Sequence, residues 1–136
     1  MNTHIYQTKV KPLTGTDLSE IYGKARSLYK TILSHSRRKP YVRSPYFKKQ
    51  KIFLELFWIH LAQKNPRERT KRLNLFPCAI DLIKYSSQEP TSKENPQKRH
   101  EILHRFSGIT TEKKLFQVQI KENKKTGQKW FMSTFY

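Results

Sequence analysis

The last third of the chain gathers side chains that could do chemistry on a phosphodiester. His104 and Arg105 sit in EILHRFSGI, Lys121 near the end of LFQVQIKE, and Ser133 and Thr134 in QKWFMSTFY. An imidazole can take a proton from a 2′-hydroxyl or return one to a leaving 5′ oxygen, while guanidinium and ammonium groups hold the charge of a phosphorane. A hydroxyl can orient the phosphate. The other histidines carry less signal: His4 and His35 lie in polar surroundings, His100 at a loop edge, and His60 in an apolar run that suits a core histidine.

Such residues need a sheet to hold them. The three runs alternate apolar and polar residues and are separated by polar breaks at Thr110–Lys114 and Asn123–Gly127, a pattern that predicts three antiparallel strands. In the middle run Phe116, Val118 and Ile120 point one way and Gln117, Gln119 and Lys121 the other, which predicts one face on a core and one face kept polar. Two registers remain open for the first hairpin. In one, Arg105 shares the polar face with Leu103, Ser107, Gln117, Gln119 and Lys121; in the other, His104 joins Lys121 and Arg105 turns away, because a one-residue slip inverts every side chain. Ser133 and Thr134 occupy opposite faces, so one hydroxyl or the other is available.

The elements upstream read as helices that cover the apolar face. Asp17 with Glu20 three positions on is a capping box, and Leu18, Ile21, Tyr22, Ala25, Leu28, Tyr29, Ile32 and Leu33 follow at helical spacing to about Ser34. Ser44-Pro45 predicts the start of a second helix over about Pro45–Lys64, apolar nearly all round and hence central and buried. Asn65-Pro66 stops it and opens a short polar helix. Leu75–Tyr85 is too short for periodicity to decide, and helix is the preferred reading. The domain plan is a flexible basic lead-in at 1–15 and one α+β domain at 16–136, with a helical half (16–86), a polar loop (87–99) and a sheet half (100–136). The expected fold is α+β, N-terminal helices packed on a C-terminal three- or four-stranded antiparallel β-meander.

A net charge of +18 over 136 residues implies a polyanionic partner, nucleic acid ahead of a membrane surface or an acidic protein. Arg37, Arg38, Lys39, Arg43, Lys48, Lys49 and Lys51 form a basic cluster, several of them expected before or in the first turn of the second helix, where cations oppose the helix dipole at about 0.3–1 kcal/mol each. A cluster that accepts this points to phosphate contacts, with Tyr41 and Tyr46 available to stack on bases. Lys124 and Lys125 in the last turn extend the binding set, whereas Arg67, Arg69, Lys71 and Arg72 serve solubility as readily as binding. Cys78 is the single cysteine, which excludes a disulfide framework and a cysteine zinc cage. With 4 glycines there is no phosphate loop or dinucleotide fingerprint. No apolar run reaches transmembrane length and MNTHIYQTKVKP lacks a signal-peptide core. A soluble cytoplasmic protein, without metal or cofactor and without a membrane partner, is expected.

The runs KPYVRSPYFKKQKIFLELFW (Lys39–Trp58), PCAIDLIKYS (Pro77–Ser86), EILHRFSGIT and LFQVQIKENKKTGQKWFMSTFY resemble small bacterial and phage proteins of the barnase–EndoU–colicin–RelE-like nuclease group. The resemblance covers about Lys39 to the C-terminus. It implies N-terminal helices on a C-terminal antiparallel sheet whose open face cuts RNA without a metal, a toxin role, and an acidic antitoxin or immunity protein as partner. Carried over residue by residue, it makes His104 the general acid/base, Arg105 and Lys121 transition-state clamps, and Ser133 or Thr134 the terminal-strand hydroxyl. An unambiguous second histidine on the sheet is missing from the pattern. The expectation is therefore a metal-independent endoribonuclease of toxin type, with a non-catalytic nucleic-acid-binding protein of a phage or mobile element as the alternative.

Overall fold

The computed structural model describes residues 5–36 and 38–136. Their elements run β1 (Ile5–Gln7), α1 (Leu18–Ser34), β2 (Tyr41–Ser44), β3 (Gln50–Phe53), α2 (Glu55–Ala62), α3 (Pro66–Asn74), α4 (Phe76–Tyr85), β4 (Thr91–Glu94), β5 (Glu101–Ile109), β6 (Leu115–Asn123) and β7 (Lys129–Phe135). Two helix starts follow their capping chemistry. The Glu20 amide donates to Asp17 Oδ1 at 2.9 Å, and the Glu20 carboxylate reaches back to Thr16. Asn65 Oδ1 takes the Glu68 amide at 2.9 Å with Pro66 opening α3, which satisfies amides that have no partner inside the helix.

The expected antiparallel meander is overturned. The sheet is seven-stranded and mixed, in the order β1-β5-β6-β7-β3-β2, with β4 also paired to β5. β5, β6 and β7 are antiparallel neighbours, but β1 joins β5 and β3 joins β7 in parallel. Parallel partners come from distant sequence, so local alternation carries no sign of them. The stretch read as a lead-in supplies β1 and is tied further by Tyr6, whose hydroxyl donates to the buried Asp81 carboxylate at 3.0 Å. Burial and the neighbouring Asp81 push the Tyr6 hydroxyl above its usual range. The stretch read as a loop supplies β4, which pairs Thr91–Glu94 with Ile102–Arg105.

The second predicted helix is corrected as well. Pro45 does not start it; Ser44–Gln50 is the turn of a β2–β3 hairpin, closed by the Lys49 amide donating to the Ser44 carbonyl at 2.7 Å. Lys48 and Lys49 take left-handed backbone with φ of 56° and 63°. Such a turn ordinarily announces itself with Gly or Asn, and lysines hid it. The helix that follows is short, and its Ile59 is 58% exposed. The central buried helix is α4, which sinks Phe76, Cys78, Ala79, Ile80, Leu82 and Ile83 against the sheet. Phe116, Val118 and Ile120 are fully buried beneath the helices, as their alternation requires. Phe57 of α2 stacks on Phe131 of β7 with ring centres 4.8 Å apart.

Candidate functional site

Burial of the inner face leaves the outer face of the sheet for chemistry. The β5–β6 register pairs Leu103 with Lys121, Arg105 with Gln119 and Ser107 with Gln117. Arg105 therefore shares the polar face with Lys121, and Glu101, two residues earlier on the same strand, shares it too. In β7, Trp130 pairs with Lys121 and Ser133 with Gln119, a bulge between Gln119 and Ile120 absorbing Met132. The parallel β3 pairing puts Phe53 beside Trp130, and the hairpin adds Tyr41, Arg43 and Lys51 to the same side. From β2 to β4 this face crosses six strands, roughly 24 Å at a typical strand spacing of about 4.8 Å.

Two cavities open on it. One, of about 270 Å³, is lined by Lys98, Arg99, His100, Glu101, Lys121, Asn123 and Trp130. In it the Lys121 ammonium lies 3.6 Å from the Glu101 carboxylate and 5.4 Å from the centre of the Trp130 ring. Asn95 Nδ2 donates to the other Glu101 oxygen at 3.0 Å, which fixes the carboxylate. The second cavity, of about 250 Å³, is lined by Thr91, Lys93, Leu103, Arg105 and Gln119. Arg105 donates to Gln119 Oε1 at 3.0 Å and lies 5.4 Å from the Phe135 ring centre. His60 flanks the region: burial holds its imidazole below the usual value, and Lys121, Lys64 and Arg72 push the same way.

The residues singled out in the sequence divide between the faces. Arg105, Lys121 and Ser133 are on the outer face. His104 is 7% exposed on the inner face, its ring bridging Ser92 Oγ and Glu122 Oε1 at 2.7 Å each and packing on Phe47. Glu122 in turn lies 3.7 Å from Lys129, itself donating to Gln50 Oε1 at 2.6 Å. Thr134 is fully buried and donates to the Gln117 carbonyl at 2.8 Å. His104→Ala leaves Ser92 and Glu122 without that partner, and a denaturant melt should show a loss of about 1–3 kcal/mol. Sequence reasoning weighed His100 only as a loop-edge histidine and Glu101 only as a neighbour of His104, and gave neither a role. The strand alternation could have found Glu101, since it has the same parity as Arg105.

Of the basic cluster, Arg43 and Lys51 flank Tyr41 at 5.4 and 4.7 Å from its ring centre. Arg43 also donates to the Lys49 carbonyl at 2.9 Å. Lys39 is paired with Glu55 at 3.5 Å and Lys124 with Glu94 at 2.7 Å, a bond that lowers the Glu94 carboxyl from its usual value. Lys125 is exposed, Tyr46 packs on Phe47 and Phe106, and Arg37 lies outside the described residues. The dipole argument does not survive, because these cations do not sit on a helix start. A different cost replaces it. Every non-glycine residue with positive φ among the described residues is a cation: Arg38, Lys48, Lys49 and Lys113. Left-handed backbone costs an L-residue about 1–2 kcal/mol, so charge is retained where glycine would fit more easily. Replacing Lys48 and Lys49 together with Gly should leave stability equal or raised by up to about 1 kcal/mol, the gain offset by unfolded-chain entropy. The expectation of nucleic-acid binding predicts that the same change weakens binding and flattens its dependence on salt, as titration at several ionic strengths will read.

No protein-family model, curated protein or solved structure matches the chain.

Proposed function

We propose that the outer face of the sheet binds a strand of RNA and cleaves it without a metal, as an endoribonuclease of toxin type. The observation that carries this reading is the cavity in which His100, Glu101, Lys121 and Trp130 converge. Glu101 takes the proton of the 2′-hydroxyl, whose oxygen attacks the adjacent phosphorus. The bond from phosphorus to the 5′ oxygen breaks, and His100 gives that oxygen a proton. Lys121 and Arg99 stabilise the phosphorane charge, and Trp130 offers an indole for a base to stack on. The products are a 2′,3′-cyclic phosphate and a 5′-hydroxyl end, so the step needs no further reactant. Arg43, Lys51 and Tyr41 hold the flanking strand across β2 and β3. An acidic inhibitor covering this face would complete the toxin reading. Incubation of the purified protein with end-labelled RNA in EDTA tests it: discrete cuts ending in 2′,3′-cyclic phosphate support it.

A non-catalytic nucleic-acid-binding protein is the second reading, favoured by the placement of His104 on the inner face, away from Arg105 and Lys121. Retarded but intact RNA in the same incubation would select it.

A further inference from the structure

We propose that Ser92, His104 and Glu122 form a nucleophile–base–acid relay at the free edge of β4, a second reactive centre that accepts the acyl group of small activated esters on the Ser92 hydroxyl. It lies on the inner side of the sheet and does not rest on the RNA reading. Ser92 Oγ is 2.7 Å from His104 Nδ1, and His104 Nε2 is 2.7 Å from Glu122 Oε1. A carboxylate only accepts, so Nε2 carries the proton, Nδ1 keeps its lone pair, and the Ser92 hydroxyl donates to it. The Lys129 ammonium, 3.7 Å from the second Glu122 oxygen, supplies the counter-charge. A hydroxyl bonded to a base that an acid orients is the arrangement that activates a serine. Here the nucleophile uses Nδ1 and the acid Nε2, which exchanges the two nitrogens of one ring and leaves the relay intact.

Access distinguishes this from a buried histidine that is merely satisfied. His104 is buried, but Ser92 is exposed, and β4 pairs with β5 alone among the described residues. The Asn95 amide donates to the Glu101 carbonyl at 2.9 Å and so faces β5. The direction of the amides alternates along an antiparallel strand, so the Ser92 N–H, three residues back and opposite His104, points outward along the open edge. A reagent can therefore reach the hydroxyl with a backbone donor beside it for a developing oxyanion. Phe47, half-buried, packs on the His104 ring at 5.0 Å and on Tyr46 at 4.9 Å, which gives a small apolar group a surface to lie on.

The step balances with water as the only co-reactant. Ser92 Oγ bonds to the ester carbonyl carbon while its proton passes to His104 Nδ1. The bond from that carbon to the alcohol oxygen breaks, and Nδ1 returns the proton to the leaving oxygen. Water then cleaves the acyl-serine by the same path, releasing the acid and restoring the hydroxyl.

The test is reaction of the full chain with an alkyl fluorophosphonate, which joins its phosphorus to an activated serine oxygen and expels fluoride, read by intact mass and peptide mapping. One adduct is expected, on Ser92, and Ser92→Ala should remove it from a protein that still melts cooperatively. His104→Gln should slow labelling by about 10²–10⁴-fold. Glu122 is a positioning residue, and Glu122→Gln, which keeps the shape and an acceptor for Nε2, should slow it by about 10²–10⁴-fold as well. Glu122→Asp should recover part of that loss, because it restores the charge at the expense of the fit; a packing role would rank the two the other way. Hydrolysis of para-nitrophenyl acetate should exceed that of Ser92→Ala. No adduct on folded protein, an adduct only on lysine or tyrosine, or Ser92 labelling unchanged in folded Glu122→Gln overturns the relay. Hydrolysis equal to that of Ser92→Ala overturns the acyl transfer. None of these readings involves RNA, so their failure leaves the nuclease reading where it stands.

Discussion

Glu101→Gln is expected to lower the rate of RNA cleavage by about 10²–10⁴-fold, the usual worth of a positioned general base. The substitution is chosen for what it keeps. Gln retains an oxygen for the Asn95 amide at the position now occupied at 3.0 Å, and its shape still fills the wall of the cavity. What it removes is the ability to accept a proton, together with the attraction to Lys121 across 3.6 Å. On the proposed reading RNA affinity should change by less than about threefold, and rise rather than fall, since a negative charge leaves the face offered to a polyanion. His100→Ala should also slow cleavage by about 10²–10⁴-fold if it is the acid, and its exposed position means that the melt should not move. Single-turnover rates and filter-binding affinities on the same preparations separate the two effects. Glu101→Gln and His100→Ala proteins that cut at the wild-type rate would remove this cavity from the chemistry.

Much of this face was legible before any coordinates. The alternation of Phe116, Val118 and Ile120 against Gln117, Gln119 and Lys121 defines an inner and an outer side, and burial follows it. The capped starts at Asp17 and Asn65 are local hydrogen-bond chemistry, and they hold. The β5 register was not legible, because EILHRFSGI has apolar residues of both parities and either slip buries some of them. Packing decides it: Phe106 and Gly108 go inward with His104, and the histidine is accepted there because Ser92 and Glu122 satisfy both ring nitrogens. β1 and β4 were invisible for another reason. They are three and four residues long, too short to show a period, and exist as strands because β5 offers them an edge. The hairpin turn at Ser44–Gln50 was masked by lysines at the two positions where backbone geometry would have asked for glycine. Two of the segments that misled local rules, the β2–β3 hairpin and β4, are the ones that bring Arg43, Lys51 and Lys93 to the outer side.

Phe116→Ala is expected to cost about 3–5 kcal/mol, a large part of the roughly 5–15 kcal/mol that holds a domain together. The side chain is fully buried, and the cause of its tight seat is visible across the ladder. Gly108 pairs with Phe116, and a Cβ added at Gly108 would fall 2.6 Å from the Phe116 ring and 2.9 Å from Leu82 Cδ1. The ring lies in the space that the missing side chain leaves, between β5 and α4. Gly108→Ala alone should therefore destabilise by about 1–3 kcal/mol, by overpacking. The two changes are not independent. Once Phe116 is Ala, the obstacle to a methyl at residue 108 is gone, Leu82 can turn its terminal methyl aside, and the alanine fills part of the void while restricting the unfolded chain. The double variant should be no less stable than Phe116→Ala, and its total loss should fall short of the sum of the single losses by about 1–3 kcal/mol. Urea melts of the three variants, with denaturant slopes compared to confirm two-state unfolding, measure this coupling. Strict additivity would mean that the ring does not rest on Gly108, and with it would fall the register that turns Glu101, Arg105 and Lys121 outward together.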